Sequence, residues 1–444
     1  MKPPTYQPQS PPPANTAKLR RWVIGCFLVA PLVCCAGSAL FLRRWVDTFD
    51  YSADLDHQVA EAKKRGMPFE ASQLALDPPV AEKDNAFPDL MAEMERHTYK
   101  DHLLKDIGAF DPKTASKVPD NIREFTQRLA KIAQKTGYDS HHDFDMGPYE
   151  EYPEYEFIRQ ASTALSKVAQ MDAKDGRFDN ALANLSTLRK LALLTAHEHG
   201  IIGALVCFSI DTRLVIYSMH VAGYAESNPS VVKQVEALLA LPAPSPDINQ
   251  AFRSEFYMGL AVTRNYKAFG GIKNLSKPDS KIAKPAKLVR TGLPKGLMER
   301  GFLSSFIKCM NHAYDLLQSE PNAHKACVEI DHYMAKVPMT VSNAFPLILV
   351  DVWGGAGTAW ERHRLSHKLA IRAIEIMRQK DRGTLPGEIE DIPDPLGGGT
   401  IEYARTGDGF KIYSKGANGL DEGGPRNNTT RKKSDDYGFV YPFN

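Results

Sequence analysis

Three histidine groups carry most of the chemistry this chain can offer. His363 and His367 stand four apart in the run H-R-L-S-H, so a helix puts both rings on one face. The same spacing holds zinc in H-E-x-x-H sites. Here no glutamate follows the first histidine, and Glu361 becomes a third ligand only if the backbone bends. His197-Glu198-His199 closes a helical run, where a histidine often meets the last carbonyls instead. His141, His142, Asp143 and Asp145 form the densest set of ligand-type residues. A metal needs three or four such groups converging on one point; otherwise each set is solvated surface. The run LILVDVWGGAGTAW (347–360) mimics a strand, glycine loop and helix, but Trp360 replaces the third glycine of a dinucleotide fingerprint and no βαβ pattern surrounds it. No G-x-S-x-G, P-loop or nucleophilic Cys-His signature is present.

The elements that must position these groups are mainly helical. Phe178, Ala181, Leu182, Leu185, Leu188 and Ala192 share a face at 3.6 spacing, as do Ile158, Ala161, Leu165 and Val168. Asp175-Gly176 turns the chain between them, which predicts a helical hairpin. A third helix follows Gly200, apolar on most sides, with Asp211 and Arg213 read as its exposed edge. Further helices are expected at 54–65, from Asp84-Asn85 to about 94, and at 118–136, 229–240, 247–268, 301–318, 321–336 and 357–379. Residues 139–156 read as an acidic, irregular surface segment. Short β-like runs at 400–405, 409–414 and 437–441 follow, with Thr406-Gly407-Asp408-Gly409 as a hairpin turn.

Trp22 to Leu42 is an uncharged apolar run flanked by Lys18, Arg20, Arg21, Arg43 and Arg44. About 20 such residues at 1.5 Å each span a hydrocarbon core of roughly 30 Å. The short tail before it has basic residues and no acid, so the positive-inside bias keeps the N-terminus cytoplasmic and exports the large domain. The rival is a cleaved signal peptide, since Ala36-Gly37-Ser38 suits cleavage. The expected organisation is a proline-rich tail (1–21), a transmembrane helix (22–42) in contact with the lipid bilayer, a helical ectodomain (46–356), and a long helix with a small antiparallel β-module (357–444). A net charge of +2 over 444 residues gives no global reason to expect nucleic acid. The basic stretch 267–300 suits an anionic surface or is a solvated loop. Outside the anchor only Cys207, Cys309 and Cys327 occur; the last two pair, or all three are buried thiols.

The C-terminal residues carry a resemblance. IEIMRQKDRGTLPGEIEDIPDP (374–395) ends a helix and supplies Gly383, Pro386, Asp394 and Pro395; IEYARTGDGFKIYSKGANG (401–419) and Ser434-Asp435-Asp436 follow. This run resembles the globular part of type II secretion major pseudopilins. The whole chain is similar in plan to bacterial single-anchor membrane proteins. The resemblance implies a calcium loop with Asp421, Ser434 and Asp435 as ligands and Asn418 and Asp436 nearby. Hard oxygen donors suit calcium, while Arg426, Arg431, Lys432 and Lys433 in the same loop oppose a cation. The pseudopilin prepilin site with its Phe and Glu is missing before the anchor, so assembly into a pseudopilus is not implied.

Together these features lead to the expectation of an inner-membrane, single-pass envelope protein, non-enzymatic, that binds a protein partner or serves structurally. The alternative is a metal-dependent envelope hydrolase using a His/Asp/Glu site. A calcium-stabilised assembly subunit is a third reading, from the terminal module alone.

Overall fold

The computed structural model describes residues 55–76, 78–98, 102–265, 295–338, 353–380, 383–425 and 435–443. The expected tail and membrane segment, most of the basic stretch, and Ser434 lie outside these residues.

The described chain is mainly helical, with twelve α-helices and one small sheet. They are α1 (Leu55–Lys64), α2 (Phe87–Thr98), α3 (Leu103–Ala109), α4 (Asp120–Ile132), α5 (Pro153–Lys174), α6 (Phe178–Thr195), α7 (Ile201–Tyr224), α8 (Pro229–Ala240), α9 (Ile248–Asn265), α10 (Lys295–Ser319), α11 (Ala323–Lys336) and α12 (Trp353–Lys380). Local chemistry sets several boundaries. Asn85 Oδ1 accepts the Phe87 N–H ahead of α2, and Asn228 and Asn322 cap α8 and α11 through their side chains. Gly176, at φ +77°, makes the turn between α5 and α6 that a side chain would strain. These two helices pack as the expected hairpin, with α7 against both.

Strands β1 (Glu402–Thr406), β2 (Gly409–Ser414) and β3 (Tyr437–Tyr441) form an antiparallel sheet in the order β1-β2-β3. Thr406 pairs with Gly409 across a two-residue turn. Phe410 and Ile412 on β2 and Phe439 and Tyr441 on β3 are buried, and β3 packs on α12. Period-two alternation therefore points one sheet face at the last long helix. Asp394 ties the preceding loop to the sheet: Oδ1 accepts Leu396 N–H and Ser414 Oγ–H, and Oδ2 accepts Lys415 N–H.

Two apolar cores result. One joins α2–α6, the later part of α7, α8, α12 from Leu365 onward and the sheet. The other joins α1, the start of α7, α9–α11 and the first turns of α12. Helices α7 and α12 pass through both. On α7 the change falls between Phe208 and Ile210, and on α12 between Trp360 and Leu365. Glycines 354 and 357 lie inside α12, not in a loop; a Cβ on Gly357 would run into the Ala323 carbonyl and Cys327 of α11. They serve helix packing. Among the described residues α7 alone is long and apolar enough to cross a bilayer, by length and composition; here α5, α6, α8, α9 and α12 pack against it.

Several expectations need correction. Asp211 is not on an exposed edge; it is fully buried. The 139–156 segment is not all surface, because Glu154 and Tyr155 are buried in the first turn of α5. Of the two readings open for the cysteines, the buried thiols hold: Cys207, Cys309 and Cys327 are buried and free.

Candidate functional site

The two histidines of α12 meet Asp211 of α7 where the two cores join. Their i,i+4 spacing puts both rings on one face, and the Asp211 Oδ2 atom lies 2.8 Å from His363 Nε2 and 2.6 Å from His367 Nε2. All three residues are buried. Phe208 packs on the His363 ring at 4.5 Å between centroids and so seals one side. Among the described residues this is the one set of three His, Cys, Asp or Glu ligand atoms gathered within 4.8 Å of one another.

What fills the gap between these atoms follows from donor and acceptor counts. His367 Nδ1 faces the Leu239 carbonyl oxygen at 3.0 Å, and a carbonyl only accepts. Its Nε2 faces a carboxylate oxygen, also an acceptor. Both ring nitrogens must then carry hydrogen, which makes His367 an imidazolium. Burial works to lower its pKa, but the hydrogen bond and charge of Asp211 raise it above the usual histidine value. Burial likewise works to raise the Asp211 pKa, and the His363 and His367 hydrogen bonds overcome it and hold the carboxyl at about 2. Buried Arg189 is the nearby counter-cation. It donates to the Pro242 carbonyl at 2.5 Å; burial lowers its pKa and Asp211 pulls it back up.

A metal fits less closely than a proton. Tetrahedral zinc with bonds near 2.0–2.1 Å sets its ligand atoms about 3.3 Å apart. The observed 2.6 and 2.8 Å are hydrogen-bond distances. Binding an ion would require α7 and α12 to part by roughly half an ångström at this crossing. Glu361 is not a third ligand; its Oε1 accepts the Ala323 N–H of α11 at 2.9 Å.

The other histidine groups gather around one surface cavity of about 230 Å³ but do not share a point. His141 Nδ1 pairs with Asp139 at 3.1 Å. His197 meets the Leu194 carbonyl, as expected at a helix end, and His199 Nδ1 accepts from Gln250. Asp145 accepts the Tyr257 hydroxyl. The ring of His142 lies deeper. It stands 3.1 Å from Glu150, 3.0 Å from Glu154 and 3.7 Å from Glu198. Tyr155 donates its hydroxyl to Glu198 at 3.1 Å. Burial pushes Glu198 up to about 7, with the His142 charge opposing. Burial also works to lower the His142 pKa, but Glu154 and Glu198 raise it. The Tyr138 hydroxyl is buried beside this group and has no hydrogen-bond partner.

Of the residues matched to the calcium loop, Asp421 Oδ1 accepts from the Tyr413 hydroxyl and the Gly423 N–H. Asp435 accepts the Asn418 N–H through Oδ2, and its Oδ1 faces Arg362 at 3.4 Å. Asp436 Oδ2 accepts the N–H groups of Glu422 and Gly424. The two ends of the loop are thus laced together by backbone donors.

Comparison with protein-family models, with curated proteins and with solved structures gave no match to this chain. The sequence reading missed Asp211, Arg189 and Glu154 as site residues. Asp211 had a usable signal: a lone acid in the middle of an apolar helix has to be paired if that helix is buried.

Proposed function

We propose that this is a membrane-tethered envelope protein that works by binding, with no catalytic centre. The observation that carries the reading is how its most reactive cluster is used inside the protein, although Asp211 Oδ1 is left without a hydrogen-bond partner. Asp211 Oδ2 takes both imidazoles, and His367 uses its second nitrogen on Leu239. That arrangement clasps α7 to α12 at the junction of the two cores. Oδ2 of Asp211, Nε2 of His363 and both nitrogens of His367 are thereby spent on contacts within the protein. The tether, an expectation from Trp22–Leu42, would keep the helical body near the bilayer surface.

The test is metal analysis of the full-length chain, purified in detergent without chelators. The expected result is no zinc, iron or manganese in proportion to protein. One ion per chain, lost on His367→Asn, would sink this reading. It would favour the alternative, a metal-dependent envelope hydrolase. One observation supports that alternative: the Leu239 carbonyl fixes Nδ1–H of His367 and turns Nε2 inward, as outer partners do for metal-binding histidines.

A further inference from the structure

A groove of about 420 Å³ opens where α11, α12 and the loop ahead of the sheet meet. Its helical side carries Lys325 of α11 with Arg364 and Lys368 of α12, and its loop side is apolar through Ile392 and Pro393. Two carboxylates also line it, Glu361 and Asp394, but both are buried and turned to internal donors. Glu361 Oε1 accepts the Ala323 N–H at 2.9 Å, and Asp394 accepts from Leu396, Ser414 and Lys415.

The cations are differently placed. Arg364 shares Glu361, which stands 3.3 Å from its Nη1, and its side chain remains 61% exposed. Lys325 and Lys368 are exposed, and neither ammonium group meets an acceptor among the described residues. Glu390 and Asp391, just ahead of Ile392, are exposed and pair with none of the three among those residues. The helical side therefore offers two unpaired positive charges and a third that is shared. Arg364 and Lys368 stand one helical turn apart, about 5–6 Å between Cβ atoms. In an extended peptide, side chains two residues apart share a face at roughly 6.5 Å. Two carboxylates at that spacing match the α12 pair, and Lys325 adds a charge from α11. The side chain between them points the other way, toward Ile392 and Pro393. A single small acid would meet one of these charges and leave the loop side in water.

We propose that this groove binds an extended acidic segment of a partner protein, with the pattern acidic–apolar–acidic. The carboxylates meet Lys368 and Arg364 with Lys325 beside them, and the apolar side chain covers Ile392 and Pro393. The inference rests on the binding reading above and names the partner's chemistry. Glu388-Ile389-Glu390, next to the groove in the chain, has the same pattern, so a second copy is the competing occupant.

The experiment uses the full-length chain in phosphatidylcholine nanodiscs and reads fluorescence anisotropy. The probe is a fluorescein-labelled peptide with Glu-Leu-Glu between Gly-Ser flanks. Versions with Gln-Leu-Gln, Glu-Ala-Glu and Lys-Leu-Lys are its controls. The expected result is saturable binding of Glu-Leu-Glu at least about fivefold tighter than Gln-Leu-Gln, since an exposed ion pair adds up to about fivefold. Glu-Ala-Glu should be weaker by at least about fivefold, because it buries less apolar surface. Lys325→Gln/Lys368→Gln should lose at least about fivefold of the affinity, and Lys325→Glu/Lys368→Glu should bind Lys-Leu-Lys in preference. Both should melt like the parent, because the substituted side chains are exposed. No saturable change, equal affinity for Glu-Leu-Glu and Gln-Leu-Gln, or affinity unchanged in the Gln variant overturns the proposal. Self-association that blocks the peptide and is lost in Glu390→Lys overturns the partner assignment in favour of a second copy. The metal analysis above is independent of these readouts. An ion lost on His367→Asn with peptide affinity unchanged would sink the non-catalytic reading and leave the groove standing.

Discussion

Asp211 and Glu198 stand close in sequence, each buried beside a histidine, yet they hold protons in opposite ways. Burial raises both carboxyl pKa values. For Asp211 two imidazoles, at 2.6 and 2.8 Å on one oxygen, reverse that effect and leave the carboxylate charged, with a pKa of about 2. Glu198 has two neutral hydrogen bonds, from Ser140 and from the Tyr155 hydroxyl at 3.1 Å, and a shared histidine at 3.7 Å, which also serves Glu154 at 3.0 Å. One cation among three acids does not offset the burial of Glu198, whose pKa goes up to about 7. The difference shows that burial alone does not decide a carboxyl's charge; the number of direct hydrogen-bond donors per oxygen counts as well.

The largest effect should come from breaking the clasp. Asp211→Ala leaves an imidazolium and Arg189 buried without their anion, and stranding one side of a buried pair costs about 3–5 kcal/mol. Denaturant unfolding of the full chain in detergent measures it. A loss below about 1 kcal/mol, the range of exposed pairs, would mean that water already reaches the cluster and that the contrast with Glu198 is not one of pairing.

The pH dependence separates the two regions further. Glu198 has an ordinary value of 4.5 and a folded value of about 7, so the folded state binds the extra proton. Its contribution is fully present below pH 4.5 and is lost as pH rises from 4.5 to 7, by roughly 3 kcal/mol. His142, raised in the fold, adds to the same trend: its contribution holds below 6.5 and goes as pH rises through its folded value. Asp211 runs the other way. Its contribution is present above 3.8 and is lost as pH falls through about 2. Melting temperature should therefore fall between pH 5 and 7 in the parent and fall less in Glu198→Gln. An identical slope in that variant would remove Glu198 as the titrating group.

How much of this the sequence discloses depends on the range of the interaction. The α5–α6 hairpin, the helix at 229–240 and the three strands were legible because periodicity and turn residues are local signals. Thr406-Gly407-Asp408-Gly409 sets its own register. The pairing of His363 with His367 was equally legible from spacing. Their partner was not: Asp211 lies some 150 residues away, and a polar residue in an apolar helix reads alike as an edge or as a buried ion until its neighbours are known. Glu154 was hidden differently. Its acidic surroundings suggested solvent, but α5 begins at Pro153 and carries it under the 139–144 segment. The anchor at 22–42 and Ser434 lie outside the described residues.

A finer change sharpens the corner itself. Tyr155→Phe removes one of two neutral hydrogen bonds, the other from Ser140, that favour the Glu198 carboxylate, worth about 1 kcal/mol. It should raise the Glu198 pKa further and move the midpoint of the stability–pH curve upward. A midpoint that moves down would show that the hydroxyl serves the protonated acid instead.

The smallest effect belongs to the acids outside both clusters. Asp421 is exposed, and the Gly423 N–H and Tyr413 hydroxyl lower its pKa, so it is charged like Asp211 but surrounded by water. If charge alone made a cation site, this loop would bind calcium. Its carboxylates, however, already accept backbone N–H groups, and Arg362 faces Asp435 at 3.4 Å as a competing cation. Calcium would have to displace those donors. Calorimetric titration of the full chain should therefore show binding no tighter than about millimolar, the weak end for calcium modules, with little change in Asp421→Ala. Micromolar binding that disappears in that variant would reverse the conclusion, because it would show that a carboxylate already satisfied by backbone donors can still be recruited by an ion. The same reversal would then have to be allowed at Asp211, where the donors are imidazoles.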